Sequence, residues 1–374
     1  MKRKLEKLLA LVLLLALALF GGTARLRDSG AGAAEAPPVT ATPDPIEAWN
    51  PDPDAPPLEL NAPTYYTLHF IGDCTLATVP FYRGSDVSYE VVVGDDYAYP
   101  FAKTVEYFKD DDWTFANLEC ALTESNAAAD KTFLFKAKAE YAKIMSEGSV
   151  EFVSLANNHT FDYGQKGYDD TVAALEAEGI EWIGRDEWRV YELRDGFRVG
   201  VYSEFYDHLD AVQRKMKALA AEDGVDFIIA AFHWGDEGSY QVNQDQIAKA
   251  HAAVDCGADF VYGSHPHTVQ PVEIYNGVPI YYSFGNWTFG GNTNPPDTDT
   301  YFLEMVLARY PDGHAEIAEL KNVPCSITSE PGRNNYQPVV LEEGSEAYER
   351  VLSKLDGSFA GQNLTVGYGL GKDD

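Results

Sequence analysis

The sequence predicts an α/β domain, and three observations carry that expectation. Short apolar runs recur from Tyr65 onward, each ending in polar or glycine-rich residues. Amphipathic stretches of helical period lie between them, and alternation of strand with helix builds an α/β sheet. Run after run also delivers a metal-capable or reactive side chain at its C-terminal end: Asp73, Asn158 with His159, His233, then His265 with His267. Ligands of open α/β sheets gather outside the carboxyl ends of the strands, so this repeated placement points to one site.

The segments follow in order. "MKRK" and the apolar run Leu8–Phe20, with "GTA" at 22–24, read as a signal peptide or signal-anchor over residues 1–27. The run is short for a membrane span. It implies an exported body at the extracellular face of the membrane or in the cell wall. Residues 28–62, rich in Ala, Pro, Asp and Glu, read as a disordered linker. The folded domain is expected over 63–326, with 327–374 a C-terminal extension on it. The runs "YTLHFIGD", "EFVSLANNH", "FRVGVYSE", "VDFIIAAFHWG", "ADFVYGSHPH" and "VPIYYSFGN" are the expected strands. Residues 165–179 and 240–257 are expected helices, stopped by Gly179 and Gly257. "GYGLG" near the C-terminus follows no strand–helix unit and carries no weight as a phosphate loop.

Lys+Arg 28 against Asp+Glu 59 gives a formal charge of −31, which argues against nucleic acid and against anionic lipid as partners. Cys74, Cys120, Cys256 and Cys325 show neither a CxxC pair nor a dense disulfide framework, and free buried thiols are the expectation.

The candidate site is built from five short stretches. Asp73 in "IGD" needs a cation or several backbone donors if it is buried. "NLEC" offers Asn117 and Glu119, which fit a pocket or a solvated loop. In "LANNHTFDYG", Asn157 and Asn158 form an amide pair, with Asn157 expected to line the pocket. Asn158 can lend a carbonyl oxygen to a metal, and His159 can donate a proton to a leaving oxygen while Asp162 orients it. The same stretch also fits a turn that uses Asn side chains to satisfy backbone. "FHWGDE" supplies His233, a ligand or a satisfied core residue, with Glu237 behind it. "GSHPH" is the strongest element: two imidazoles at i and i+2, just after a strand, converge on one point. His69, His208, His251 and His314 read as structural or solvated. Imidazole with carboxylate and amide oxygen suits one or two divalent ions, Mn, Fe or Zn rather than Ca. A pair of such ions is the usual device for phosphate-ester cleavage.

The series "GD", "NLE", "NNHTFDYG", "HWGDE", "GSHPH" and "YYSFGNWTF", in this order, resembles the CapA family of bacterial poly-γ-glutamate and capsule synthesis proteins, a branch of the metallophosphoesterase superfamily. The resemblance covers about residues 65–310 and implies a four-layer α/β/β/α sandwich. It places Asp73, Glu119, Asn158, His233, His265 and His267 at metal-binding positions and His159 at that of the general acid. It matches Tyr282, Ser283, Gly285 and Asn286 to a stretch that shapes the pocket wall. One departure stands out: the superfamily begins with Asp-x-His, and here the third position is Thr75. One metal site thus lacks a standard ligand.

The resemblance implies a metal-dependent, phosphoesterase-like hydrolase site in an exported protein that helps synthesise, export or anchor an anionic surface polymer, together with a membrane synthesis complex. A secreted phosphoesterase acting on a phosphoester substrate needs the same residues, and the missing histidine suits a non-catalytic scaffold. The charge of −31 sets a condition on the first reading, because a polyanion is repelled unless the cleft is locally positive.

Overall fold

The computed structural model describes residues 62–364. The leader expected over 1–27, the spacer expected over 28–62 apart from its last residue, and "GYGLG" lie outside the described residues. Along the chain the elements are β1 (Thr64–Thr75), α1 (Tyr89–Val93), α2 (Val105–Phe108), β2 (Trp113–Leu118), β3 (Ala121–Leu122), β4 (Lys136–Ala137), α3 (Ala142–Glu147) and β5 (Phe152–Ser154). Then come α4 (Gly164–Ala177), β6 (Glu181–Ile183), β7 (Glu187–Glu192), β8 (Arg198–Glu204), α5 (Leu209–Ala220), β9 (Phe227–His233), α6 (Gln244–Asp255) and β10 (Phe260–Ser264). The remainder is β11 (Val272–Tyr275), β12 (Val278–Tyr281), β13 (Asn286–Phe289), β14 (Asp299–Arg309), β15 (Ala315–Ser326), β16 (Val339–Val340) and α7 (Glu346–Leu355).

Two sheets form. The eight-stranded sheet runs β16-β15-β14-β1-β2-β5-β6, with β13 added beside the C-terminal end of β1. The six-stranded sheet runs β11-β12-β10-β9-β8-β7. Strand alternation decides how they stack. Tyr66, Leu68 and Phe70 of β1, Phe115 of β2, Val199 and Val201 of β8, and Phe227 and Ile229 of β9 join one cluster between the sheets. The other face of β9, with Ile228, Ala230 and Phe232, packs under Val212 and Met216 of α5 and Ala250 and Ala253 of α6. A strand covered on both faces carries an unbroken apolar run, and "FIIAAF" is one. On the far side, Ile71 and Val153 pack against residues of α1 to α4 such as Val93, Phe108, Ile144 and Leu175. The architecture is therefore a four-layer α/β/β/α sandwich.

Local chemistry explains where the elements begin and end. α6 starts at Gln244, later than residue 240, because Asn243 and Gln246 form a reciprocal capping box. β5 stops at Ser154, so Leu155–His159 is loop and not strand. The hairpin β14–β15, α5 and α7 are additions to the elements read from sequence. α7 lies beyond residue 326 and yet contributes Val351 and Leu355 to the inter-sheet core. Cys74, Cys120 and Cys325 are buried free thiols, and Cys256 is a half-buried one. No helix among the described residues is long and apolar enough to cross a membrane.

Candidate metal centre

The carboxyl ends of β1, β2, β5, β9 and β10 converge at one place. Asp73 lies beyond a register shift in β1, between Asn117 of β2 and Asn286 of β13. The approach is very close: a Cβ on Gly72 would stand 2.1 Å from the Gly285 carbonyl oxygen. Only glycine fits there. The Asp73 N–H in turn donates to that same oxygen, 2.9 Å.

Asp73, Glu119, Asn117, Asn157, His159, Asp162 and His233 are all buried, while Asn158, Glu237, His265 and His267 are half-buried. Asp73 Oδ1 accepts from Asn117 Nδ2, 2.8 Å, and Oδ2 lies 3.3 Å from the His265 N–H and 3.4 Å from His267 Nδ1. Asn157 donates to Asn117 Oδ1, 3.0 Å, and to the Leu118 carbonyl, 2.8 Å. Asn117 and Asn157 were expected to line the pocket. They are fully buried and hold the β2–β5 end in place. Ser283 is also buried, and its Oγ accepts the Gly285 N–H, 3.2 Å, so it shapes the turn behind the site. His159 Nδ1 stands 2.7 Å from Asp162 Oδ2. Glu237 exerts its charge on Glu119, His233, His265 and His267.

Two residue sets bring ligand atoms within 4.8 Å of one another: Glu119, His233 and His265, and Asp73, Glu119 and His267. Glu119 belongs to both. The polar atoms there test the fit of a cation. Both Glu119 carboxylate oxygens are buried without a hydrogen-bond partner, and so is His265 Nδ1. An unpaired buried carboxylate is costly unless a cation serves it. The ring of His233 gives a second test. Ser264 Oγ stands 3.2 Å from the Phe232 carbonyl and 2.9 Å from His233 Nδ1, an arrangement that suits the Nδ1–H tautomer a metal-ligating Nε2 requires. Nε2 then carries a lone pair. It faces Asn158 Oδ1 at 2.8 Å and Glu119 Oε1 at 3.4 Å. Three acceptors pointed at one another fit a shared cation. Likewise His267 Nδ1 donates to Asn286 Oδ1, 2.8 Å, which leaves Nε2 toward Glu119 at 3.9 Å. Asn286, expected at the pocket wall, thereby orients this ring.

The electrostatics agree. Burial, reinforced by the neighbouring histidines, pushes His233 and His265 down to about 3, so both rings are neutral at pH 7. Burial raises Glu119 to about 8, with Asp73 adding to it and His267 opposing it. For His267 burial acts downward, but Glu119 and Asp73 prevail and lift it to about 10. Burial would raise Asp73 as well; His267, with His233 and Asn117, holds it below the ordinary carboxylate range.

His265 and His267 have φ of 98° and 56°, the left-handed region that disfavours side chains. Each costs on the order of 1–3 kcal/mol, and such strain clusters at functional sites. Sequence reading did not reach this, nor Ser264, nor Lys131. Lys131 Nζ donates to Asp162 Oδ1, 2.6 Å, and to the Asn158 carbonyl, 2.9 Å. No motif marks it. Ser264 sits inside "GSHPH" and could be found there as a donor-orienting hydroxyl.

All these candidate residues fall inside one stretch with known relatives. The family model described as bacterial capsule synthesis protein PGA_cap matches residues 67–291, more than half of the chain. The chain belongs to this family. Within the PGA_cap family and around it, the chain is 30% identical over 225 residues to the capsule biosynthesis protein CapA of Bacillus anthracis, covering 52% of this chain and 54% of that protein. It is 28% identical over 210 residues to the PGA biosynthesis protein CapA of Bacillus subtilis, covering 49% and 54%. The chain thus spans about half the length of the curated relatives it matches. Among solved structures, TT1561 of Thermus thermophilus is similar with a TM-score of 0.36 at 13% identity, covering 64% of this chain and 94% of that one.

Proposed function

We propose that this PGA_cap chain is an accessory protein for an anionic surface polymer of the capsule or poly-γ-glutamate kind, with a metal-dependent hydrolase-type site, exported to the outer face of the membrane and working beside a membrane synthesis complex. The observation that carries the site is Glu119, whose two unpartnered oxygens lie between a His233/His265 set and an Asp73/His267 set. The polymer reading is supported by the names of the relatives, and the export reading by the basic and apolar leader.

Asp73, Glu119, His233, His265 and His267 would hold one or two divalent ions, with Asn158 lending its carbonyl oxygen. Such an ion, when bound, polarises a phosphoryl or acyl oxygen as a Lewis acid. The chain supplies the rest. Asp162 accepts from Nδ1 of His159 and fixes the ring, so that the imidazolium form would pass its Nε2 proton to a leaving oxygen and be left as the neutral Nδ1–H ring. Ser264 and Asn286 hold the rings of His233 and His267 in the tautomers that present Nε2. Asn117 and Asn157 keep Asp73 and the β5 loop in register.

Elemental analysis of the purified full chain, beside a His265→Ala, His267→Ala variant, tests this. One or two equivalents of Mn, Fe or Zn are expected in the parent, with depletion in the variant. A parent that stays metal-free after purification in metal-supplemented buffer would sink the proposal. Thr75, where the superfamily's histidine would stand, favours a second reading in which the ion binds polymer without cleaving it. Hydrolysis of a simple phosphodiester or a γ-glutamyl amide by the metal-loaded chain decides between them, since turnover removes the second reading.

A further inference from the structure

Lys+Arg 28 against Asp+Glu 59 leaves carboxylates in excess, so an arginine without one is informative. Among the described residues Arg185 is the one arginine that makes neither a hydrogen bond nor an ion pair with the protein. The acidic residues of the same loops are committed elsewhere. Asp186 Oδ1 accepts the N–H groups of Phe205 and Tyr206, 2.9 Å each. Glu187 Oε1 accepts the Gly184 N–H, 2.8 Å, and lies 2.8 Å from Arg189 Nη2. Asp207 Oδ2 accepts from the Tyr202 hydroxyl, 2.7 Å, and from Lys215 Nζ.

Ring faces hold Arg185 instead. Its guanidinium carbon lies 4.1 Å from the centre of the Phe161 ring, 5.0 Å from that of Tyr206 and 6.0 Å from that of Phe205. Contact with a ring face uses the charge of the planar guanidinium, while its five N–H donors point outward in the plane. The rings thus steady the fork without consuming a donor. Arg185 is half-buried and Tyr206 is 63% exposed, so the assembly opens to solvent.

The same contacts tie this arginine to the candidate metal centre. Arg185 stands two residues beyond β6, Phe205 one beyond β8, and Phe161 in the loop beyond β5. These are carboxyl ends of strands from both sheets, the edge on which the centre also lies. Phe205 touches both: its ring centre is 5.7 Å from that of His233. Phe161 follows His159 in the turn that the Asp162 N–H closes on the His159 carbonyl, 3.2 Å. The guanidinium is therefore one ring removed from a candidate metal ligand, the reach of a second group on a ligand anchored at the centre.

We propose that Arg185 determines specificity at the candidate metal centre: its unused donors take a second oxyanion of a ligand whose first oxyanion is held at the centre. The site thereby selects ligands that carry two oxyanions joined by a spacer over ligands that carry one. The planar fork suits a phosphoryl or a carboxyl group, because each offers two acceptor oxygens side by side. The first contact rests on the metal reading above; the second belongs to Arg185 alone.

Calorimetric titration of the metal-loaded full chain with alkane-α,ω-bisphosphonates tests the proposal. The spacers are too long to chelate a single ion, and alkylphosphonates of equal length serve as the single-anion reference. Bisphosphonate affinity is expected to pass through a maximum with spacer length, about tenfold above the reference, because a tethered second contact counts only where the tether fits the span. R185Q should abolish that maximum and leave the reference affinity and the metal content unchanged; a merely structural arginine would not give a loss that depends on spacer length. R214Q, the same change of charge on a side chain 67% exposed, should keep the maximum. Y206L, at an exposed position, should lower and broaden it, since the fork loses one of its rings, and this keeps the test open if R185Q folds poorly. A chain that holds metal and binds the reference but shows no maximum overturns this proposal alone, as does a maximum that survives R185Q or is lost equally in R214Q. A chain that holds no metal and binds no phosphonate overturns the metal reading together with it.

Discussion

Glu119 has two buried oxygens without hydrogen-bond partners, with His233 at 3.4 Å and His267 at 3.9 Å. Without a cation, burial keeps this carboxyl protonated to about pH 8, while His267 stays protonated to about 10. Both groups must shed their protons to act as ligands. Metal binding at pH 7 should therefore release up to two protons. The sign is fixed: protons compete with the ion below each of these values, so affinity rises with pH up to about 8 through both groups, and above that through His267 alone. Calorimetric titration with Mn or Zn in two buffers of different ionisation heat reads the number directly, and zero release would remove Glu119 and His267 from the ligand set. Glu119→Gln should lower the release by one proton. Once the pH passes the Glu119 value it also removes a buried charge whose desolvation outweighs the attraction of His267, so there the metal-free variant should unfold at the same temperature as the parent or higher. The parent should gain about 2.7 kcal/mol at a hundredfold excess of metal over Kd, and the variant should lose most of that gain.

At the level of elements, the centre depends on how closely β1 and the turn before β13 approach. Gly72→Ala places a methyl group 2.1 Å from the Gly285 carbonyl, where backbone cannot yield cheaply. Overpacking of this kind costs about 1–3 kcal/mol, and here it also displaces Asp73, the next residue. Thermal unfolding should show the loss, and elemental analysis should show reduced metal even in the fraction that remains folded; full metal content would mean that Asp73 is dispensable. Much of this frame is legible in the sequence. "FIIAAFH" and "FVYGS" read as buried strands, and their last residues mark the site, because period and strand ends are local properties. The hairpin β14–β15 is not legible in the same way. "AEIAELK" in β15 is made of good helix formers, yet it pairs with β14 from Ala315↔Arg309 to Ser326↔Asp299. Ladder pairing and burial override propensity there, and neither is visible within a short window. The left-handed His265 and His267, and Lys131 arriving from a loop, depend on distant partners for the same reason.

For the whole molecule, the decisive fact is that the sandwich extends past the matched family segment. That segment ends at residue 291, yet β14 lies directly beside β1, and α7 fills part of the inter-sheet core. One buried ion cluster ties these parts together. Lys354 of α7 is almost fully buried, and its Nζ donates to Asp297, 2.7 Å, and to Asp299, 2.6 Å. Asp297 also accepts from the Tyr240 hydroxyl, 2.7 Å, and Gly238 donates to the Pro266 carbonyl within "GSHPH", 2.7 Å. The contacts thus run from the C-terminal helix to the histidine loop. Breaking a buried pair from one side leaves uncompensated charge and costs about 3–5 kcal/mol. Lys354→Met should fall toward the lower end, because Arg350 still grips both Asp299 oxygens at 2.7 Å. Denaturant unfolding measures this, and a loss below about 1 kcal/mol would mean that α7 is not anchored by its charges. The companion variant Lys354→Met, Asp297→Leu, Asp299→Leu separates charge from packing. If the cost is stranded charge, replacing all three members with apolar groups should recover most of it. If the triple variant is worse than the single one, the cluster holds the loop by its directed hydrogen bonds to Tyr240 and Arg350, and metal retention should fall with it.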